Sequence, residues 1–402
     1  MIRRTVICLG LSQLISWGVS YYLIGVFVEA IAAEFGWGRD VVYGGFALSL
    51  LVMGLASPMT GHLIDRLGGR RVMVAGSILN AVGCAGLGLC HGLTSYFLAW
   101  TCLGLGMRLT LYDAAFAALA RIRGPLARSP ISQITLLGGL ASTIFWPVGH
   151  LLSEQFGWHQ ALFAYAGFAL VTVPLHLVVS NDRHEDLVKP EAASQRRPLA
   201  TTKQELRIAG GLYAVVATMA NFLNAGMSAH MIGILGGLGV ATTLSVWIAT
   251  LRGVGQSSAR LCEILFGRRI DPLALNLLAC LLMPLSFVAG LYSGASETAA
   301  VVFAFVYGAC NGILTITRGT LPLVLFEYRT YGAFVGKLVA PSFILSAAAP
   351  LVYAWLIDHF GERWGLHVST VCAAMMLAAA LLLSLMFRKP KIDSNIRSEN
   401  VS

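Results

Sequence analysis

The sequence predicts an all-α integral membrane protein, with twelve transmembrane helices arranged as two pseudosymmetric six-helix bundles. Its composition, its long apolar runs and an internal repeat indicate this fold class. Of the 402 residues, 57% are hydrophobic and only 12% are charged, whereas soluble domains average about 25% charged residues. Because so few charges cannot cover the surface of a soluble protein of this size, most of the chain is expected to face lipid.

Apolar runs recur along the whole chain, and a helix needs about 20 apolar residues to cross a bilayer. The first run begins shortly after Arg3 and Arg4 and is too long for a cleavable signal peptide, so it is interpreted as an uncleaved first helix. The predicted helices 1 to 12 span 7–33, 41–60, 70–90, 94–120, 129–152, 159–180, 209–234, 241–264, 271–293, 297–325, 333–356 and 365–387.

A polar stretch at 181–208 divides the chain nearly in half and contains two prolines. It is interpreted as a cytoplasmic linker. The predicted domains are an N-terminal six-helix bundle at 1–180, the linker at 181–208, a C-terminal six-helix bundle at 209–389 and a cytoplasmic tail at 390–402.

Positive charge is strongly biased to one side of the predicted membrane. Of the 28 Lys and Arg residues, five lie within predicted helices, Arg39 and Arg363 fall in loops on one side, and the other 21 lie on the opposite side. Because basic loops stay in the cytoplasm, both termini are expected there, in a multi-pass protein of the cell inner membrane. The same bias explains the net charge of +9, and no nucleic-acid partner is expected.

Two stretches that end in Gly-Arg-Arg reveal an internal repeat. GHLIDRLGGRR at 61–71 is matched by ARLCEILFGRR at 259–269, with Asp65 opposite Glu263. LTLYD at 109–113 resembles LTITR at 314–318, and EQFG at 154–157 resembles DHFG at 358–361. Three matches at nearly one offset, about 200 residues, indicate a duplicated six-helix unit. Many secondary transporters are built in this way, with the substrate site between the halves.

GHLIDRLGGRR also resembles the cytoplasmic loop signature of the major facilitator superfamily, G-x-L-x-D-R-x-G-R-R, with one extra glycine before the basic pair. The resemblance implies alternating access. It also implies that this loop latches the outward-facing state through pairing of its acid with arginines of neighbouring helices; a plain basic anchor is the alternative. The gating residues that it implies are Gly61, Asp65, Arg66, Arg70 and Arg71, with Glu263 and Arg268 in the second copy.

Ionisable side chains inside membrane helices cost about 2.5–3.5 kcal/mol each near the bilayer centre, so they indicate function. The predicted helices hold one deep carboxylate, Asp113, and four cations, Arg108, Arg252, Arg318 and Lys337. This excess of positive charge favours an anionic or strongly polar solute. Alternatively, some of the arginines bind backbone carbonyls or gate residues, and Arg252 is the first candidate for that.

Asp113 and Arg318 occupy equivalent positions in the two repeats. An ion pair between them could open and close during the transport cycle, which makes Asp113 the candidate proton-coupling residue. A static buried pair is the alternative. Burial and a nearby arginine act on the protonation of a carboxylate in opposite directions, so opening the pair would change proton affinity.

Aromatic and amide side chains on the cavity side suit a planar or organic solute. Gln13, Trp17 and Tyr21 follow each other at four-residue spacing and are expected to share one helix face. Any uncharged member of this set could instead serve helix packing. The predicted substrate-binding residues are Gln13, Trp17, Tyr21, Arg108, Tyr112, Asn221, Asn224 and Arg318.

Met227, His230 and Met231 in helix 7 raise the alternative of a copper site, because thioether and imidazole ligands suit Cu(I). Through this M-x-x-x-M the chain loosely resembles bacterial copper importers of the same superfamily. Riboflavin transporters resemble the same group without the metal motif. Predicted helix 8 contains neither His nor Met, so the second half of the importers' motif is missing. Methionine packing is the alternative.

The predicted function is therefore secondary active transport of a small polar, anionic organic solute, with proton coupling as a further expectation. A copper or riboflavin importer and, from another class, a transporter-derived receptor are the alternatives. The sequence contains neither a Walker motif nor HExxH, and its eight cysteines form no Cys-x-x-Cys pair. Neither enzymatic activity nor a cofactor is expected. The expected partners are a small-molecule substrate and the lipid bilayer, and a monomer is expected.

Overall fold

The computed structural model describes residues 2–183, 198–266 and 270–387, and all regular secondary structure in these ranges is helical. Arg268, residues 184–197 of the predicted linker and the predicted tail at 390–402 lie outside the described residues. Helices 1 to 6 are Ile2–Ser16 with Trp17–Tyr21 and Ile24–Phe35, Arg39–Leu67, Gly69–Gly88, Leu93–Thr110 with Tyr112–Arg123, Arg128–Gly138 with Ala141–Phe156, and Trp158–Leu177. Helices 7 to 12 are Lys203–Gly237, Thr242–Phe266, Pro272–Leu291, Glu297–Thr320 with Pro322–Leu325, Tyr331–Phe360, and Glu362–Phe387.

The predicted twelve-helix fold is confirmed. Ten described stretches are long and apolar enough to cross a membrane. One of them, Leu93–Phe156, has 64 residues, and as a single helix it would be about 96 Å long. A 3-10 turn at Gly124–Ala127 instead divides it into helices 4 and 5. Helix 8, Thr242–Phe266, completes the twelve.

Glycines in left-handed backbone conformations make equivalent turns in the two halves. Gly157 joins helices 5 and 6 with φ 83°, and Gly361 joins helices 11 and 12 with φ 87°. A residue with a side chain would be strained at either position. These glycines end the EQFG and DHFG segments, so this part of the sequence repeat corresponds to a repeated turn.

The sequence predicted a loop at 61–71, but nearly all of this segment is helical. Helix 2 continues to Leu67, Gly68 alone makes the turn with φ 88°, and helix 3 begins at Gly69. Hydropathy detects only the apolar part of a helix, so the predicted end near residue 60 missed two turns of charged helix that extend past the lipid.

Three hydrophobic clusters show how the two halves meet. One holds only residues of the N-terminal half, such as Trp100, and another only residues of the C-terminal half, such as Phe303. The third contains residues of both halves, among them Ile64 and Phe326. It includes the end of the molecule that carries residues 61–71, which is named the basic face. The halves thus share a core toward the basic face and have separate cores toward the other end, so a cleft between them opens away from the basic face.

Helices 2 and 11 form the closest contact between the halves. A Cβ atom on Gly61 would overlap the carbonyl group of Gly332, so no side chain fits there. One turn deeper in the membrane, Ser57 Oγ donates a hydrogen bond of 2.8 Å to the carbonyl oxygen of Gly336. The two backbones therefore touch along more than one turn.

Asp65 closes the basic end of this contact. Its Oδ1 accepts a hydrogen bond from the backbone N–H of Gly332 at 3.0 Å, and its Oδ2 accepts one from Ala333 at 2.7 Å. Helix 11 begins at Tyr331, so the carboxylate of one half caps the N-terminus of a helix of the other. That end of a helix carries a partial positive charge of about 0.5 and attracts anions.

Gly61→Ala is expected to destabilise the closed basic face, because the new methyl group meets backbone atoms that cannot rotate away. Overpacking of this kind typically costs about 1–3 kcal/mol, and it should appear as a lower midpoint of thermal unfolding in detergent. Gly211→Ala is the matched control, since no heavy atom lies within 4 Å of a Cβ at that helix position. Equal midpoints for the two variants would contradict the prediction.

Candidate functional site

Three charged side chains meet where helices 4 and 10 face each other across the two halves. Asp113 Oδ2 lies 2.6 Å from Arg318 Nη2 and 3.2 Å from Arg108 Nη1. The exposed fractions of the side chains are 10% for Asp113, 18% for Arg318 and 4% for Arg108. These residues are named the charge triad. Because two guanidinium groups share one carboxylate, the triad keeps a net charge of +1.

A break in helix 4 places two members of the triad. Its first part ends at Thr110 and its second begins at Tyr112, and Leu111 between them has an extended backbone with φ −73° and ψ −174°. Arg108 therefore lies in the last turn of one helix and Asp113 in the first turn of the next. Helix dipoles favour a cation and an anion at these respective ends. The sequence predicted helix 4 at 94–120, close to its observed span, and did not predict this break.

Two buried amides hold Thr110 at this break, one through its backbone and one through its side chain. Gln13 Nε2 donates to the carbonyl oxygen of Thr110 at 2.7 Å, and Asn80 Nδ2 donates to Thr110 Oγ1 at 3.0 Å. Gln13 is fully buried, so in this conformation it supports helix 4 from helix 1. Its contact with a substrate stays a prediction, and its support of the break was not foreseen from the sequence.

Trp17 and Tyr21 lie in a π-helical turn, Trp17–Tyr21, that interrupts helix 1. Such turns are rare and frequently occur at functional sites. The ring centroid of Trp17 lies 4.9 Å from that of Tyr21 and 4.9 Å from that of Tyr112, and Tyr112 stacks on Phe116. These four rings are named the aromatic wall, and they adjoin the charge triad because Tyr112 precedes Asp113 in the chain.

Helices 7 and 11 contact the triad from the C-terminal half. Asn221 Oδ1 accepts a hydrogen bond from Arg318 Nη1 at 3.1 Å, and Asn221 Nδ2 donates to Ser342 Oγ at 2.9 Å. The ring centre of Phe343 lies 5.6 Å from the guanidinium carbon of Arg108 and 5.2 Å from that of Arg318, within the range of cation–π attraction. Ser342 and Phe343 were not predicted, because apolar helices commonly contain both residue types.

Arg252 belongs to a second polar group. Its Nη2 donates to Asn224 Oδ1 at 2.6 Å and to Ser228 Oγ at 2.9 Å, and its guanidinium carbon lies 5.4 Å from the ring centre of Tyr307. Asn224 Oδ1 also accepts a hydrogen bond from Asn311 Nδ2 at 2.6 Å. The sequence suggested backbone carbonyls or gate residues as partners of Arg252, whereas its described partners are neutral side chains.

Lys337 does not belong to the cavity. Its side chain is exposed on the face of helix 11 that also exposes Pro341, Ile344 and Leu345, and an apolar stripe with helical spacing that stays exposed faces lipid. The predicted set of four cavity cations is therefore corrected to three among the described residues: Arg108, Arg252 and Arg318.

The second copy of the repeat also closes the basic face, with different chemistry. Glu263 Oε1 lies 3.4 Å from Arg128 Nη2, and Arg260 Nη1 donates to the carbonyl oxygen of Thr135 at 3.0 Å. Both contacts join helix 8 to helix 5 of the other half. The equivalent acids Asp65 and Glu263 thus both bridge the halves, one through backbone amides and the other through a guanidinium group.

The arginines of the first copy have separate positions. Arg66 and Arg71 are exposed at the basic face, and Arg70 Nε donates to a backbone carbonyl just after helix 6 at 2.6 Å. Arg121 of helix 4 approaches Asp65 by donating to its backbone carbonyl. The neighbouring-helix arginine that the resemblance implied is therefore present, while the Asp65 carboxylate itself binds helix 11.

The candidate copper ligands are engaged in other contacts. Met227 and Met231 are 1% and 3% exposed and pack in the apolar core of the C-terminal half. His230 Nε2 forms a hydrogen bond of 2.9 Å with the carbonyl oxygen of Pro350. The arrangement supports methionine packing.

Comparisons of the sequence identify its relatives. The family model described as Major Facilitator Superfamily matches residues 9–339. Multidrug resistance protein MdtG of Citrobacter koseri is 27% identical over 364 residues, which cover 84% of this chain and 82% of that protein. Multidrug resistance protein MdtL of Shewanella oneidensis is 24% identical over 185 residues, 46% of each chain. These relatives give no support to the narrower resemblance to copper importers and riboflavin transporters.

Two solved structures share the fold. The proton:xylose symporter XylE bound to 6-bromo-6-deoxy-D-glucose matches with a TM-score of 0.76 and 14% identity, over 95% of both chains. The human organic anion transporter MFSD10 (TETRAN) matches with a TM-score of 0.67 and 18% identity, over 95% of this chain and 99% of that one. With the family model matched over residues 9–339, the chain belongs to the Major Facilitator Superfamily, whose members are membrane transporters and not enzymes.

Proposed function

We propose that the protein is a proton-coupled secondary active transporter of organic anions. The observation that carries this proposal is the charge triad, in which the one carboxylate of Asp113 pairs with both Arg108 and Arg318 where the two halves meet and leaves a net charge of +1. This positively charged group lies between two halves that must separate during transport. A substrate anion would therefore compete with Asp113 for the same guanidinium groups.

Two hydrogen-bond donors of the charge triad are available to an anion. Arg108 Nε and Arg318 Nε are buried and have no hydrogen-bond partner in the part of the chain that the structure describes. A buried donor without a partner costs about 1–3 kcal/mol. The forked guanidinium geometry suits a carboxylate, sulfonate or phosphate, so an anion that enters the cleft would satisfy groups that Asp113 leaves unsatisfied.

In this proposal, competition between Asp113 and the substrate anion for Arg318 couples substrate binding to proton binding. When a substrate anion takes Arg318, Asp113 loses one of its two cations, and a buried carboxylate that loses a cation binds a proton more readily. Neutral Asp113 no longer attracts helix 10. Substrate and proton together therefore release the contact between the halves, and they are expected to move in the same direction.

The aromatic wall supports a solute with a planar apolar part, because aromatic rings bury a large area at low entropic cost. The multidrug-resistance names of the relatives MdtG and MdtL favour an organic solute over a metal ion. Burial of Met227 and Met231 in the core points the same way.

We further propose that the basic face lies in the cytoplasm of a cell whose inner membrane holds the protein. The bias of basic residues toward this face supports that orientation, and the cleft then faces outward. In this orientation the Asp65 cap on helix 11 and the Arg128–Glu263 pair act as latches of the outward-facing state. One chain supplies both walls of the cleft, so the proposed transport unit is a monomer.

Asp113→Asn is expected to abolish uphill uptake while it preserves exchange. The amide cannot bind and release a proton, and exchange needs no net proton movement. The measurement is uptake into proteoliposomes of an organic anion found by a thermal-shift screen, driven either by an imposed proton gradient or by internal substrate. Gradient-driven accumulation by the variant would show that Asp113 is not the coupling site.

Arg108→Ala and Arg318→Ala are each expected to weaken binding of that anion by about 1.5–3 kcal/mol, the range of hydrogen bonds to charged groups. Since about 1.4 kcal/mol is a factor of ten, the dissociation constant should rise at least tenfold in calorimetry. Lys337→Ala is the control, because it removes a cation from the lipid face of helix 11. Unchanged affinity in both triad variants would contradict the proposed role of the triad.

A further inference from the structure

We propose that Arg252, with Asn224, Ser228 and Tyr307, forms an outer anion-binding subsite that a solute reaches before the charge triad. The inference rests on the proposed function, because it gives the organic anion a first docking point. It adds a site on helices 7, 8 and 10 whose chemistry is independent of Asp113.

The charge of Arg252 is not compensated within the described ranges. The ion pairs found there involve other basic residues, and no described carboxylate lies within 4.0 Å of the Arg252 nitrogens. Its partners Asn224 and Ser228 are neutral, so they accept its hydrogen bonds but do not neutralise its positive charge. An uncompensated cation at membrane depth is costly and usually functional, and a bound anion would neutralise it.

The guanidinium group is held with one edge free. Both of its hydrogen bonds, to Asn224 and to Ser228, use Nη2, which leaves Nε and Nη1 for a two-point contact with a carboxylate or sulfonate. The guanidinium carbon lies over the ring of Tyr307, and Asn311 donates a hydrogen bond to the amide oxygen of Asn224. The donor edge is therefore positioned before any anion arrives.

Arg252 lies on the side of helix 8 that faces the cleft. Trp247 and Val254 are 70% and 52% exposed and, seven residues apart, mark the lipid face of helix 8. Arg252 precedes Val254 by two residues and so lies about 200° around the helix from it, on the inner side. From there Arg252 is within electrostatic range of Tyr21 and Tyr22 on helix 1 of the other half.

The subsite lies nearer the open end of the cleft than the triad. Tyr307 and Arg318 are eleven residues apart on helix 10, which corresponds to about 16 Å along the helix axis. Helix 10 runs toward the basic face, where the halves are closed. An anion that enters from the open end therefore passes Arg252 first and moves on to Arg318.

The test measures binding of the anionic dye 5-carboxyfluorescein and of the cationic dye rhodamine 6G, an ester that shares its xanthene ring system and has no free carboxylate. Binding is measured by fluorescence anisotropy with the protein in lipid nanodiscs. Arg252→Gln should raise the dissociation constant for the anion at least about tenfold, the scale of a charge-assisted hydrogen bond. Arg252→Lys should fall between it and the wild type, because it keeps the charge and loses the fork. Arg39→Gln removes an exposed cation from the open end, where its side chain is 70% exposed, and should bind like the wild type.

Asn224→Asp provides a second variant that keeps Arg252 in place. The new carboxylate would neutralise the guanidinium group at its existing contact, so anion binding should fall as in Arg252→Gln while the fold gains an ion pair. One outcome would overturn the outer subsite and leave the proposed function standing. In that outcome the wild type binds the anion and Arg318→Ala weakens this binding, but Arg252→Gln and Asn224→Asp both bind the anion as the wild type does. If the wild type binds rhodamine 6G as tightly as the anion, the anion selectivity in the proposed function is contradicted, whatever the Arg252 variants show.

Discussion

Asp113 is held between two guanidinium groups, one from its own half of the protein and one from the other half, and the rest of the site depends on this constraint. The break in helix 4 gives the carboxylate a helix N-terminus and gives Arg108 a helix C-terminus. Gln13 holds that break, and Asn221 orients Arg318. Because one carboxylate faces two guanidinium groups, a net charge of +1 remains that a substrate anion can neutralise. In this account, that remaining charge links anion binding to opening.

The two halves are also joined at the basic face by a shared apolar core and by polar contacts. The Asp65 cap on helix 11 is a charge–dipole interaction, worth up to about 2 kcal/mol. The Arg128–Glu263 pair joins the halves at 3.4 Å, with Glu263 only 5% exposed. Toward the open end each half keeps a separate apolar core, so those parts can move as bodies. The glycine contact between helices 2 and 11 shows why the motif needs Gly61 as much as its charges: the acid can reach the helix 11 amides only if the backbones touch.

The sequence was sufficient for the twelve helices, the repeat and the placement of Asp113 opposite Arg318, because apolar runs and repeat offsets are local or periodic signals. It could not predict the break in helix 4, since Leu111 is flanked by neither Gly nor Pro and the break depends on tertiary hydrogen bonds. The π-helical turn that carries Trp17 likewise has no sequence marker. Lys337 was assigned to the cavity from depth alone, although its spacing from Pro341 and Ile344 already indicated the lipid face.

The most direct test of the central role of Asp113 is a distance across the basic face. Spin labels at Leu67 on helix 2 and Phe266 on helix 8, both exposed side chains of opposite halves, can be introduced in a Cys262→Ser background, since Cys262 is the exposed native thiol among the described residues. Pulsed electron resonance should give one short distance distribution for the wild type without substrate. If Asp113 holds the halves together, Asp113→Asn should add a longer population. A distribution in Asp113→Asn that is identical to the wild type would show that the charge triad does not control opening.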